Sequence, residues 1–302
     1  MKNFIPLISV ILTCFNRKDK SLECLNALIS SKSIDKEYRL SIFLVDDCST
    51  DGTAAAVSAS YPQVTIITGS GSFFWAKGMH RAQEEAEKID PDYLLWLNDD
   101  TILNADAIIE LLAVSVRVND SENIGAVIVG ATTDALYGRL TYGGLRSKSR
   151  LRRFNYDRLP ISDFPQNCEA MNGNIVLVPR KIFIRVGSID PTFEHAMGDI
   201  DYALRVRSAG YRIIQAPGTL GKCSENSPNG SFHDKSLSAS IRWNKFVDRK
   251  GLPPASWLHF VKRHGGIFWP AYFSYPYASF LLRIWLNDIF KRLHLVPKIE
   301  KT

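Results

Sequence analysis

Three short polar clusters each close an apolar run in this 302-residue chain. Asn98, Asp99 and Asp100 follow the run Tyr93 to Leu97. Asp46 and Asp47 follow Leu40 to Val45 inside VDDCSTDGT, and Thr13, Cys14, Phe15, Asn16 and Arg17 follow Ile5 to Leu12. Adjacent carboxylates where a buried strand ends repel each other, so a fold keeps them mainly where a cation or ligand offsets that repulsion. Asp99 and Asp100 are therefore the first candidates for a metal site. Ligands of an open parallel sheet bind in the crevice outside the carboxyl ends of its strands, so the three ends can converge on one pocket.

Two glycine-bearing turns bear on the same chemistry. Asp51 stands as a helix N-cap before Gly52, and amides at that helix start either attract phosphate or accept their own cap. The loop Gly69 to Gly78 sets three glycines around Phe73, Phe74 and Trp75 and leads into a helix at Ala76. Glycines let a diphosphate approach the backbone, and a helix start favours negative charge. Trp75 either stacks on a ligand ring or fills a core gap.

Positioning these groups requires alternating elements. Strands are predicted at Ile5 to Leu12, Leu40 to Val45, Val64 to Thr68, Tyr93 to Leu97 and Ile124 to Val129, with helices near Lys18 to Ser31, Thr53 to Ser60, Ala76 to Lys88 and Ala105 to Val118. Such alternation implies right-handed crossovers and a doubly wound α/β sheet, mostly parallel. After Gly130 the rhythm changes to glycine-rich turns and a basic stretch, Arg146 to Arg153. A strand follows at Ile175 to Val178, then a helix from near Asp199 to before Gly210, and a strand at Tyr211 to Gln215.

Composition bounds the function. The chain has ordinary globular composition, with 45% hydrophobic and 23% charged residues, and no fixed-period repeat. Its net charge of +6 suits anionic partners. Nucleic acid is disfavoured, because no basic helix, finger or aromatic-basic sheet motif is present. Five cysteines without a CxxC pair argue against a disulfide framework or structural zinc and point to a reducing compartment. Lys2 and the apolar start resemble a signal peptide, but Pro6 interrupts the run and no small-residue cleavage site follows, so a first buried strand is expected. From Trp257 onward aromatics interleave with Lys262, Arg263, Arg283, Lys291 and Arg292, while Pro270, Pro276, Arg283 and Asn287 are expected to break any membrane-spanning helix. This tail suits an anionic membrane surface; the alternatives are packing onto the rest of the chain or across a homodimer.

The segments VILTCFNR, VDDCSTDGT, GSGSFFWAKGM, LLWLNDDT, MNGNIVLVPR and GDIDYALRVRSAG, in this order and spacing, resemble a bacterial family 2 glycosyltransferase with the GT-A fold over about Pro6 to Pro217. The resemblance implies a GT-A domain over residues 1–225, with a nucleotide-binding half at 1–129 and an acceptor half at 130–225, followed by a C-terminal extension at 226–302. By resemblance Asn98, Asp99 and Asp100 take the place of the DxD motif, with Asp100 and then Asp99 holding Mg2+ or Mn2+. Asp46 and Asp47 match the acidic pair that meets the nucleotide base, and uracil or thymine offers a suitable imide N–H. By resemblance Thr13, Asn16 and Arg17 line the same pocket, with a solvated surface charge as the alternative for Arg17. Gly71, Trp75, Lys77 and Gly78 belong to the donor-side loop.

Gly198-Asp199-Ile200-Asp201 takes the place of the ED motif, which implies Asp199 as the catalytic base. Gly198 replaces the Glu, leaving Glu194 or His195 as candidate helpers. Asp201 is a candidate on the acceptor side, although its i,i+4 spacing from Arg205 favours a structural pair. Gly173 and Asn174 resemble the acceptor-side floor; the alternative is an ordinary Asn-Gly turn. Many relatives carry a metal-binding His where this chain has APGTLGKCSENSP, so Lys222, Cys223 or water would serve.

The implied activity is inverting transfer of a sugar from a UDP- or dTDP-linked donor, dTDP-rhamnose among them, to a glycan or lipid-linked acceptor in bacterial surface polysaccharide synthesis. The implied location is the cytosol, at the inner face of the membrane. A nucleotidyltransferase and a binding-only relative without turnover are the alternatives; the first lacks its basic Gly-rich signature after the first strand.

Overall fold

The computed structural model describes residues 5–122, 124–149, 153–225 and 227–292, without the side chains of 120–122 and 287–292. Lys2, the middle of the basic stretch at 150–152, and the side chains of Asn287, Lys291 and Arg292 therefore lie outside the described residues. The chain divides into two compact units, one ending at Glu225 and the other starting at Asn226.

In the first unit, strands β1 (Leu7–Cys14), β2 (Arg39–Asp46), β3 (Val64–Thr68) and β4 (Tyr93–Leu97) alternate with helices α1 (Lys18–Ile29), α2 (Thr53–Ser60) and α3 (Phe74–Glu87), and α4 (Ala107–Glu122) follows. Eight strands form the central sheet, with β4, β1, β2 and β3 side by side and parallel at one end. The strand Ile175–Pro179 lies antiparallel between β4 and Ala126–Val129; Arg212–Gln215 continues parallel to the latter, and Gln166–Asn167 closes the edge. The doubly wound, mostly parallel α/β expectation holds.

Near-continuous apolar runs make these strands, as burial on both faces demands. Ile8, Val10, Leu12, Leu44, Leu95 and Leu97 are all buried in one core, and Trp96 lies fully buried beside Tyr202 at 4.7 Å between ring centroids. Register places Thr13 against Val45 and Cys14 against Asp46, so the polar ends of β1 and β2 lie side by side. β1 runs two residues past the expected Leu12 because Thr13 and Cys14 still pair with β2.

Two further differences have local causes. Gly52, in the left-handed region, caps α2 in place of Asp51. Asp51 Oδ1 still accepts the Thr53 amide at 3.0 Å, while its Oδ2 accepts the Lys18 amide and ties α1 to this turn. Residues 130–174, expected as turns, contribute short strands to two small sheets: Gly144–Ser147 with Tyr156–Arg158 and Ala170–Met171, and Gly221–Lys222 with Ile102–Leu103 and Thr132–Thr133, the latter paired with Leu140–Tyr142. Helix α5 (Arg180–Val186) and helix α6 (Gly198–Ser208) complete this unit.

The second unit contains α7 (Ala239–Val247), α8 (Pro254–His264) and α9 (Trp269–Arg292). Pro276 was expected to break a span, yet it sits inside α9. A helical proline removes the hydrogen bond to the carbonyl four residues earlier. That carbonyl, on Tyr272, accepts Trp257 Nε1 at 3.1 Å from α8, so the break is repaired from outside the helix. Part of the aromatic tail is core: Phe246 stacks on Phe280 at 4.1 Å, and Trp257 on Phe260 at 5.4 Å. No described helix is long and apolar enough to cross a membrane.

Candidate active site

The ends of β1, β2 and β4 meet, as the three clusters predicted. Arg17, just before α1, reaches across from the end of β1 and donates through Nη1 to Asp99 Oδ1 at 2.9 Å and Asp100 Oδ2 at 2.8 Å. Asn16 binds the β2 side: its amide donates to Ser49 Oγ, and its Oδ1 accepts the Thr50 amide at 2.7 Å. Asp46 Oδ1 accepts the Ser49 amide at 3.0 Å.

Asp47 is nearly enclosed, and its oxygens take the amides of Gly71, Phe73 and Phe74 at 2.7, 2.9 and 3.0 Å. The negative group at the start of α3 is thus a side chain of the protein. It also explains why α3 starts at Phe74, ahead of the expected Ala76. Asp47 holds the loop before α3 in shape; of the acidic pair, Asp46 is the member whose carboxylate is not spent on that loop.

Trp75 links the acidic turn after β4 to the turn before Ile175–Pro179. Its Nε1 donates to Asn98 Oδ1 at 2.9 Å, and its ring passes so close to Gly173 that a Cβ there would lie 2.5 Å from Cζ2. The Gly173 amide donates to Asp199 Oδ2 at 3.2 Å, and the Ile200 amide to Asp199 Oδ1 at 2.8 Å. Burial pushes the Asp199 carboxyl up to about 6, against those amides and the Asn172 side chain, which pull it down. A carboxylate poised near neutrality without a cationic partner of its own in that balance is suited to taking a proton.

Asn174 sits under the acidic turn: its carbonyl accepts the Asn98 amide at 3.1 Å and its Nδ2 meets Cys223 Sγ at 3.4 Å. Gly78 lets α3 close onto β1, since a Cβ there would lie 2.3 Å from Thr13 Oγ1. Around these strand ends and helix starts four non-glycine residues stand at positive φ, namely Asn16, Cys48, Phe74 and Met197, a backbone cost that tends to collect at functional sites.

Burial likewise raises the Asp99 carboxyl to about 6, with Arg17 opposing the shift and Asp100 adding to it. Asp99 Oδ2 is buried without a protein partner. Cys223 Sγ donates to Asp100 Oδ1 at 3.4 Å, and burial together with Asp100 pushes that thiol up to about 12, so it stays protonated here. Pairing of Gly221–Lys222 with Ile102–Leu103 carries Cys223 to this place. Among the described residues no three His, Cys, Asp or Glu side chains are grouped to hold a metal. Two carboxylates with one orphaned buried oxygen fit a hard cation that takes its other ligands from a bound diphosphate, and do not fit a closed structural metal site.

Two candidates lie elsewhere. Asp201 is fully buried and accepts Arg205 Nε at 2.8 Å, while Arg205 Nη1 and Nη2 donate to the carbonyls of Val186 and Ser188. That pair fastens α6 to the end of α5 and the loop after it, the structural pairing that the i,i+4 spacing favours. Lys77 is half-buried on the first turn of α3 and has no part in this hydrogen-bond network. Sequence reasoning missed the binding of Arg17 to both aspartates and named Cys223 only as one of three substitutes.

The mostly parallel sheet flanked by helices, with one antiparallel strand inserted beside β4, is an α/β fold of GT-A type. The family model described as glycosyl transferase family 2 matches residues 9–176, more than half of the chain, and the chain belongs to that family and is a glycosyltransferase. A curated relative, N-acetylglucosaminyl-diphospho-decaprenol L-rhamnosyltransferase of Mycobacterium tuberculosis, is 23% identical over 214 residues, covering 64% of this chain and 69% of the relative. Among solved structures, GalNAc-T7 with UDP, GalNAc and Mn2+ superposes with a TM-score of 0.60 at 14% identity, over 91% of this chain and 51% of that one. S. aureus TarS in complex with UDP superposes with a TM-score of 0.51 at 14% identity, over 85% and 71%.

Proposed function

We propose that the chain transfers a sugar, with inversion, from a UDP- or dTDP-linked donor to a glycan or lipid-linked acceptor hydroxyl. The observation that carries this reading is the position of Trp75: one indole touches Asn98, beside the acidic turn, and Gly173, which holds Asp199. The donor's leaving group and the acceptor's proton would then be handled on either side of one ring.

Asp199 takes the proton of the acceptor hydroxyl, whose oxygen attacks the anomeric carbon on the face opposite the diphosphate. The amides of Gly173 and Ile200 hold the carboxylate in place for this step. Asp46 and the Asn16 turn receive the nucleotide base and ribose side, and the loop braced by Asp47 borders the diphosphate. Asp99 and Asp100 would hold Mg2+ or Mn2+, which when bound neutralises charge gathering on the departing diphosphate. The rhamnosyltransferase relative, named for a decaprenol-linked acceptor, supports a lipid-linked acceptor and dTDP-rhamnose as a donor to test first.

The second unit supports work at a membrane surface. Phe268, Tyr275 and Leu282 recur seven residues apart and are exposed, with Trp285 next along α9 and Lys262, Arg263 and Arg283 exposed beside them in sequence.

Asp199→Asn should abolish transfer while leaving donor-induced thermal stabilisation in Mn2+ intact, and Asp100→Ala should remove the Mn2+-dependent part of that stabilisation. Full sugar transfer by Asp199→Asn would remove Asp199 from the role of base. A panel of UDP- and dTDP-sugars in the same assay identifies the donor.

A further inference from the structure

We propose that Arg17 is a resident counter-ion that competes with the divalent cation for Asp99 and Asp100, so that the cation enters only as the guanidinium leaves. The proposal rests on the reading of these two aspartates as the cation-holding residues. A single nitrogen, Nη1, bridges Asp99 Oδ1 and Asp100 Oδ2 at 2.9 and 2.8 Å. Asp100 Oδ1 is engaged by the Cys223 thiol, so both oxygens of Asp100 are occupied and Asp99 Oδ2 is the one oxygen of the four left buried without a protein partner. A cation held by these two carboxylates would need oxygens that the guanidinium now occupies. The two positive groups also repel strongly at such range in a site withdrawn from water.

The fold gives Arg17 a fixed root and a partly exposed side chain. Its backbone is anchored on both sides: the Ser21 amide donates to its carbonyl, Asn16 is tied to Ser49 and Thr50, and the Lys18 amide is tied to Asp51. Its side chain is 34% exposed, so the head can swing out without disturbing the loop. A guanidinium fork released beside a nucleotide diphosphate finds a matching acceptor there. Cation and diphosphate should therefore bind synergistically: the cation frees Arg17, and the diphosphate gives it a new partner. Without nucleotide the cation meets an occupied site.

The test measures Mn2+ binding to the full chain at pH 8, from the electron paramagnetic resonance signal of free Mn2+, with and without UDP. Arg17→Gln should bind Mn2+ at least tenfold more tightly than wild type in the absence of UDP, and the gain in Mn2+ affinity on adding UDP should shrink several-fold in the variant. Arg17→Met, which keeps the packing of the stem, carries the same expectation should Arg17→Gln fail to fold. Asp100→Ala identifies the site.

Mn2+ bound by wild type, lost in Asp100→Ala and no tighter in either Arg17 variant would overturn the competition and leave the cation reading standing. No Mn2+ binding by wild type or the Arg17 variants, with or without UDP, would overturn both.

Discussion

Asp99 and Asp199 share one electrostatic condition: burial has lifted both carboxyls from an ordinary 3.8 to about 6. With Asp199 as the base, transfer should be maximal above about pH 6 and fall on the acid side with a midpoint near 6. With Asp99 also required as the anion, kcat/KM should drop more steeply than a single protonation allows. The same shifts act on stability. A carboxyl with a raised native pKa keeps its proton longer when folded, so between about pH 4 and 6 its contribution to stability falls as pH rises, and above that the full cost of the buried charge is present. Asp199→Asn should therefore raise the thermal midpoint over wild type, and the gain should be larger at pH 8 than at pH 5. An equal gain at both values would mean that the Asp199 carboxyl is not desolvated. Asp47 shows the opposite use of an acidic residue. Its charge is spent on three amides of one loop, a structural role that its place in VDDCSTDGT did not reveal.

Between elements, the close approaches are the sensitive points. Gly173 and Trp75 bring the turn before Ile175–Pro179 against the start of α3, and a methyl group at 173 would displace the indole. Gly173→Ala should cut kcat roughly a hundredfold while changing donor affinity little, as expected for a misplacement of about 1 Å between reacting groups. Single-turnover rates alongside donor titrations separate the two effects. In the second unit, Trp257→Phe removes the donor that reaches the Tyr272 carbonyl from α8 and should cost about 1–3 kcal/mol, read as a lower denaturant midpoint for loss of helicity. The run from Trp269 could not be read as one helix from sequence, because the repair of its proline comes from a different helix. The short strands of residues 130–174 were equally illegible: segments of two to four residues are too brief to show a period.

At the scale of the whole molecule, the first unit contains the segment that matches the family model, and the second presents exposed aromatic and apolar side chains from Phe268, just before α9, along α9 itself. In the intact chain, replacing Phe268, Tyr275 and Leu282 together by Ser should abolish co-flotation with anionic liposomes and leave transfer to a short water-soluble acceptor unchanged. Undiminished flotation would assign these side chains to another use. The sequence by itself determined the alternating elements, the three polar strand ends and the crevice where they meet, because apolar periodicity is a local property and switch-point geometry follows from the order of elements. Only the tertiary structure decided the work of each charged group. Arg17 meets carboxylates 82 and 83 residues away, Cys223 reaches Asp100 across 123 residues through a two-residue strand pair, and buried Asp201 pairs with Arg205. Desolvation and hydrogen-bond partnership depend on what surrounds a side chain in space, and those neighbours come from distant parts of the chain.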